Sequence, residues 1–259
     1  MSGPPNRNTF APPGLVLRGV SLSYGQRTIF AGLDLSVRAG ELLVLLGASG
    51  VGKSGLLRII AGLRKPATGT VSATDGGSLA GRIAWMGQQD LLLPWATTED
   101  NVVLGDRLRG RGADRNRARD LLRRVGLEGR EKALPAELSG GMRQRAAIAR
   151  TLYEDRPVVL MDEPFSALDS VTRAQVQSLA AEVLRGRTVL LITHDPLEAC
   201  RLGHRLLVLE AGTDGGPARL GEPITVPGAP PRPVDDPQLL AAQARLLRRL
   251  AADAGEHAA

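Results

Sequence analysis

Five apolar residues in a row, Leu42 to Leu46, run directly into Gly47-Ala48-Ser49-Gly50-Val51-Gly52-Lys53-Ser54. This junction constrains the fold more than any other stretch. A strand without polar alternation is buried on both faces, as in a parallel sheet covered by helices. The glycines let the backbone curl until successive N–H groups point at an anion. Ser54 to Leu63 reads as a helix closed by Gly62, and its N-terminus adds a positive dipole end. Gly47, Gly52, Lys53 and Ser54 stand at the spacing of a P-loop, in which the lysine serves the β- and γ-phosphates of a nucleotide and the serine hydroxyl reaches Mg²⁺. Gly55 follows, where many such loops carry a further hydroxyl. One hydrogen bond to the α-phosphate, worth about 0.5–1.5 kcal/mol, is therefore expected to be missing.

Other short apolar runs repeat the theme. Val158 to Met161 delivers Asp162 and Glu163 to the C-terminal edge of a sheet, where ligands of open α/β sheets gather. There Asp162 would hold Mg²⁺ through its water shell, and Glu163 would polarise a water attacking the γ-phosphate. Val189 to Ile192 ends at Thr193-His194-Asp195, which places His194 to hydrogen-bond the γ-phosphate. Ile83 to Met86 and Leu206 to Leu209 are further core strands. Leu15 to Tyr24 is β-rich and breaks at Gly25, and Leu33 to Val37 alternates like a half-exposed strand. Thr97 to about Arg150 turns helical, with Leu121, Leu122 and Val125 at helical spacing before Gly126. Gly141 to Tyr153 and Ser170 to Leu184 are helical too. Strands alternating with helices imply an α/β domain with a mostly parallel sheet.

At 259 residues and 43% hydrophobic, the chain can bury a large core. No apolar run approaches the roughly 18–20 residues that cross a bilayer. Residues 1–14 are polar and Pro-rich, read as a flexible lead without a secretory core. The expected location is the cytosol or the cytosolic side of a membrane. The net charge of +6 owes much to arginines between Arg107 and Arg124, interleaved with Asp106, Asp114 and Asp120, which read as a solvated helix face. Aromatic residues are only 3%, too few for stacking platforms, so nucleic acid is not an expected partner. Cys200 is the single cysteine, read as a small buried apolar residue. After Leu220 the chain is Pro-rich, and Gln238 to Leu250 reads as a short amphipathic helix.

Leu138-Ser139-Gly140-Gly141-Met142-Arg143-Gln144-Arg145 is a second anion-binding turn, far in sequence from the first. One nucleotide does not need two distant cradles in one chain; two facing chains do. Together with Ser166-Ala167-Leu168-Asp169, Gln88 and Tyr24, these residues resemble the nucleotide-binding subunits of ATP-binding cassette (ABC) transporters. The resemblance covers about residues 15–222. It implies an α/β P-loop NTPase (RecA-like) core, an N-terminal antiparallel β subdomain and an inserted α-helical signature lobe at about 95–152, with 223–259 as a tail. It implies that two subunits sandwich two ATPs head to tail, with Ser139, Gly140 and Gly141 of one chain completing the γ-phosphate site of the other. Asp169 then belongs to the D-loop, Gln88 is the Q-loop glutamine near the metal with Ser54 and Asp162, and Tyr24 stacks on adenine. Leu91-Leu92-Leu93-Pro94-Trp95 reads both as core at the lobe junction and as a groove for a permease subunit. The stretch Gln88 to Leu104 is similar to importers of the nitrate, sulfonate and taurine type, and Trp85 to Trp95 to a subgroup importing hydroxymethylpyrimidine, a thiamine precursor. A periplasmic or lipoprotein solute-binding protein is then an indirect partner. A soluble ABC ATPase acting on nucleic acid or ribosomes is the alternative.

Overall fold

The computed structural model describes residues 11–212 and 216–255, the side chains of 252–255 excepted. The flexible lead expected for residues 1–14 lies outside the described residues up to residue 10. Its last residues are anchored: the Thr188 hydroxyl donates to Pro13 O, and Gly14 N donates to Thr74 Oγ1.

β1 (Leu15–Tyr24), β2 (Arg27–Val37) and β4 (Thr68–Ala73) form an antiparallel sheet in the order β2-β1-β4. Between them run β3 (Leu42–Leu46) and α1 (Lys53–Ile60). β5 (Ile83–Met86) leads into a helical lobe of α2 (Thr98–Val102), α3 (Leu104–Leu108), α4 (Arg115–Arg124) and α5 (Gly140–Tyr153). The chain returns through β6 (Val158–Asp162), α6 (Ser170–Val183), β7 (Thr188–Ile192), α7 (Pro196–Leu202) and β8 (Arg205–Glu210). β9 (Arg219–Leu220), β10 (Ile224–Thr225) and α8 (Pro237–Gly255) complete it. The main sheet runs β10-β8-β3-β7-β6-β5, with β9 on β8. The β3/β7, β3/β8, β6/β7 and β5/β6 pairs are all parallel.

The apolar runs are explained by what covers the two faces. In β3, Leu42, Val44 and Leu46 join the core on the side of the helical lobe, while Leu43 and Leu45 join the core under the antiparallel sheet and α1. β6, β7 and β8 divide the same way. Alternating side chains point to opposite faces of a strand, so a sheet covered on both sides needs apolar residues at every position.

Several boundaries differ from the sequence reading. α1 ends at Ile60, not Leu63: Gly62 takes a φ of 73°, and Leu63 N turns back to Arg58 O at 2.9 Å. That closes the helix in the left-handed manner typical of C-termini. α8 is longer than expected, and Leu239, Ala242 and Leu246 on it are fully buried in the main core. The Pro-rich segment before α8 is pinned by Arg232, 2% exposed, which donates to the carbonyls of Pro227, Cys200, Gly203, Val226 and Gly228. The arginines of α4 are not merely solvated. Arg115 pairs with Glu99 and Asp100, and Arg119 with Glu99, tying α4 to α2. Cys200 is buried, and burial pushes its thiol up to about 11, as for an inert core residue.

Candidate active site

β3, β7 and β6 lie side by side in that order, all pointing the same way. Their C-terminal ends therefore deliver the 47–54 loop, Thr193-His194 and Asp162-Glu163 to one edge of the sheet. That edge is the crevice where open α/β sheets bind ligands.

The loop needs its glycines. Gly47 has a φ of 144°, and a Cβ there would stand 2.4 Å from Leu209 O. Gly52 caps α1 with a φ of 114°, and a Cβ would meet Ile29 at 2.6 Å. Ala48, Ser49 and Gly50 are exposed on the loop, while Val51 packs inward and its N–H turns to Ala48 O at 3.5 Å. Lys53, 8% exposed, donates from Nζ to Gly47 O and Ala48 O, both at 2.8 Å. Burial lowers its pKa, against the opposing charges of Glu163 and Asp162. The ammonium thus sits against the loop's own carbonyls, a weaker partner than a phosphate oxygen. Gly55 is a packing requirement as well as a missing hydroxyl: a Cβ there would lie 2.4 Å from Leu22 Cδ2 of β1.

Asp162, 5% exposed, accepts a hydrogen bond from the Ser54 hydroxyl. Burial first, then the charge of Glu163, raises its pKa, with Ser54 and Lys53 opposing. A buried carboxylate beside an alcohol is a hard-oxygen pair that welcomes a divalent cation. Among the described residues no group of three or more His, Cys, Asp and Glu surrounds a single point. Phosphate oxygens and water would have to complete the shell. Gln88 does not join this pair by any hydrogen bond among the described residues; it lines a cleft of about 430 Å³ with Gly140, Gln144 and Ser166.

Glu163 takes a φ of 50°, unusual for a residue with a side chain. Its backbone is held from both sides. Its N–H donates to Ile192 O at 2.9 Å, and its carbonyl accepts from Gln144 Nε2 at 3.0 Å and Ser166 Oγ at 3.1 Å. Its carboxylate meets His194 Nδ1 at 2.7 Å. The Gln144 contact went unread in the sequence; its position two residues after Met142, within the signature turn, was the only signal. Gln144 Oε1 also accepts from Ala167 N at 2.7 Å.

Tyr24 is 48% exposed, with Arg64 over its ring at 4.0 Å from the centroid. Ser139 and Gly140 are exposed, and Ser139 caps α5 by accepting from Met142 N at 3.3 Å. Asp169 caps α6 in the same way, and the Thr172 amide lowers its pKa. A larger cleft of about 870 Å³ lies at the opposite ends of β5, β6 and β7 and contains none of these residues. The candidate site lies at the glycine loop, not at the larger cavity.

The ABC transporter family matches residues 30–166, a span holding the loop, the signature turn, Asp162 and Glu163. The chain belongs to the ABC transporter family. As such it is an ATP-binding cassette that hydrolyses ATP. It is 48% identical over 236 residues to the aliphatic sulfonates import ATP-binding protein SsuB 1 of Rhodococcus jostii, covering 90% of this chain and 92% of that one. It is 45% identical to SsuB 2 of Burkholderia cenocepacia, covering 92% of this chain and 87% of the relative. Among solved structures, the dimeric MJ0796 bacterial ABC transporter cassette superposes with a TM-score of 0.73 at 32% identity, covering 83% of this chain and all of that one. A post-hydrolysis dimer of the same cassette, bound to ADP and phosphate, gives 0.72. The P-loop NTPase core, antiparallel subdomain and helical lobe of this cassette agree with those neighbours.

Proposed function

We propose that this cassette is the motor of a bacterial importer, working as a head-to-tail homodimer beneath separate permease subunits at the cytoplasmic face of the membrane. The observation that carries this reading is the placement of Ser139 and Gly140. They are exposed at the N-terminus of α5, on a chain that already has its own phosphate loop at 47–54. A helix N-terminus with free amides favours an anion, and a second copy of the chain supplies one in the form of its bound ATP.

In the closed pair, Lys53 and the amides of 47–54 hold the phosphates, and Tyr24 stacks on adenine with Arg64 behind its ring. Ser54 and Asp162 would hold Mg²⁺, with Gln88 near it in the closed pair, and the bound ion would supply positive charge against the phosphates. Glu163 takes the proton of the attacking water, His194 holds that carboxylate and the γ-phosphate, and Asp169 lies at the seam between the chains. No helix among the described residues is long and apolar enough to cross a membrane, so attachment runs through the permease.

For cargo we favour a small organic sulfonate, delivered by a periplasmic or lipoprotein binding protein. The SsuB relatives support it over the hydroxymethylpyrimidine reading of Trp85 to Trp95 and the nitrate reading of Gln88 to Leu104. The cassette itself does not touch cargo. The test is ATPase activity of the complete complex with its binding protein. Stimulation by an alkanesulfonate supports the reading, and stimulation by a pyrimidine alone replaces it.

A further inference from the structure

Three neighbouring parallel strands are each entered through an arginine. Arg82 precedes β5, Arg156-Pro157 precedes β6, and Arg187 precedes β7. Ile83, Val158 and Thr188 are in register. The arginines therefore gather at one end of the sheet, opposite the 47–54 loop. The backbone carbonyls there are already engaged. Arg82 O accepts from Val158 N at 3.2 Å, Pro157 O from Thr188 N at 3.0 Å, and Gly81 O from Arg156 Nη1 at 2.7 Å. This end of the sheet thus presents guanidiniums rather than unpaired acceptors. The cleft of about 870 Å³ opens on it, and Arg109, Arg111 and Arg117 line the same cleft from the helical lobe.

Charge in this cleft is unbalanced: seven arginines line it against three carboxylates. Each carboxylate is already shared. Glu154 takes Arg109 at 2.9 Å and Arg156 at 3.4 Å. Asp155 takes Arg187 and, at 3.7 Å, Arg117. Asp106 takes Arg109 at 3.2 Å and the Tyr153 hydroxyl at 2.8 Å. Arg82 turns to Asp75, outside the cleft, at 2.6 Å. Arg111 and Arg185 are exposed, and their guanidiniums form no hydrogen bond or ion pair among the described residues, although the charge of Arg111 reaches Asp106. A guanidinium carries five N–H donors, so even the paired arginines keep some to spare. Like charges lining a concave surface focus the field on a counter-ion, and the planar fork of arginine matches phosphate-type oxyanions. The volume falls within the roughly 300–1,000 Å³ of small-molecule sites, far more than one inorganic ion fills.

We propose that this cleft is a second anion site, taking a small soluble molecule with two or more phosphate-type charges, and that Arg111 and Arg185 grip it. The shared carboxylates set the other arginines in place and leave these two as uncompensated charge. The site stands apart from the dimer reading, since no residue of the 47–54 loop or the 139–141 turn lines it, nor do Asp162, Glu163 and His194.

Inorganic pyrophosphate is the probe, added with excess ADP and EDTA so that the 47–54 loop is filled and no metal chelates the probe. Calorimetry should show saturable binding that weakens as NaCl rises from about 0.05 to 0.5 M. Hydrogen exchange, which needs no variant, should slow around Arg82, Gly112 and Gly186. Arg111→Ala combined with Arg185→Ala should weaken pyrophosphate at least about tenfold, with ADP affinity, Tm and ATPase activity as in the parent. Lysine at both positions should restore part of the loss. Absence of pyrophosphate binding to the ADP-loaded parent would overturn the proposal, as would equal binding by the double variant or protection confined to the 47–54 loop. Sedimentation with phosphatidylglycerol vesicles separates the sources of such a charge. Capture of the parent that the double variant loses would overturn the soluble ligand in favour of a lipid headgroup, and a parent left in the supernatant supports the soluble one.

Discussion

Glu163 Oε2 and His194 Nδ1 stand 2.7 Å apart, although 31 residues separate them in the chain. Adjacent strands bring them together: β6 ends at Asp162 and β7 at Ile192, and Asp162 and Ile192 are register partners. The positive φ of Glu163 accompanies the turn out of β6 that brings its carboxylate to the imidazole. A carboxylate oxygen can only accept, so this contact is a hydrogen bond in the tautomer that places an N–H at Nδ1.

Replacing Glu163 with Gln keeps the shape and removes the base. Hydrolysis should fall about 10²–10⁴-fold, with ATP binding retained. An ATP-dependent dimer should accumulate on light scattering. Unchanged phosphate release would remove Glu163 from the chemistry.

Lys53→Ala removes the loop's only mobile cation. Saturating MgATP at about 100 Kd should stabilise the parent by about 2.7 kcal/mol, read as a rise in Tm. The variant should lose most of that rise. A full ATP-induced shift would show that Lys53 does not bear on the phosphates.

Ser139→Arg should block dimer closure while sparing ATP binding to the same chain. Mixed one to one with Lys53→Ala, it allows one complete site, formed by the intact loop of one chain and the intact turn of the other. ATPase activity should reappear in the mixture. No recovery from two folded variants would argue against shared sites.

Glu198 on α7 is 4% exposed, and burial chiefly pushes its carboxyl up to about 8, with the charge of Asp195 adding and Thr193, Gln177 and Arg173 opposing. The folded state then holds a proton that the unfolded chain releases near 4.5. Stability from this group is complete below pH 4.5, declines as pH rises, and is gone above about 8. The change is on the order of a few kcal/mol. Glu198→Gln should therefore raise Tm over the parent by more at pH 8 than at pH 5. Parallel melting curves at both pH values would contradict this.

Arg232→Ala would leave five carbonyls without their donor. Each buried polar group left unpaired costs about 1–3 kcal/mol before water relieves some of it. A urea midpoint shift equal to several kcal/mol is expected, and Arg232→Lys should recover only part, since three donors cannot serve five acceptors. A shift below about 1 kcal/mol would mean the tail holds without this pin.

Much of this was legible in the chain. The buried strands announced themselves as unbroken apolar runs, and Ile83–Met86 was read with its observed bounds. β4 was not: Thr68 to Ala73 is mostly polar and exposed, and only pairing with β1 makes it a strand. The residue types and spacing of the candidate site were visible at 47–54 and 162–163. Gln144, Arg143 and Arg150 were not singled out, because a polar residue on a helix reads as solvated until its distant partner is known. The α4 arginines failed for the same reason, their acids lying on α2.

Local sequence alone decided the shape of the 47–54 loop proposed to grip phosphate, because glycine conformations and a lysine–serine pair at fixed offsets act within eight neighbouring residues. It also decided which strands are central, since burial on both faces demands apolar residues throughout. Strand order was settled only in three dimensions. β7 between β3 and β6 is what sets His194 against Glu163, and helix packing is what hands Asp90 and Leu91 to Arg143 and Arg150. Contacts between residues far apart in the chain depend on which surfaces the whole core brings together, and no local pattern encodes that choice.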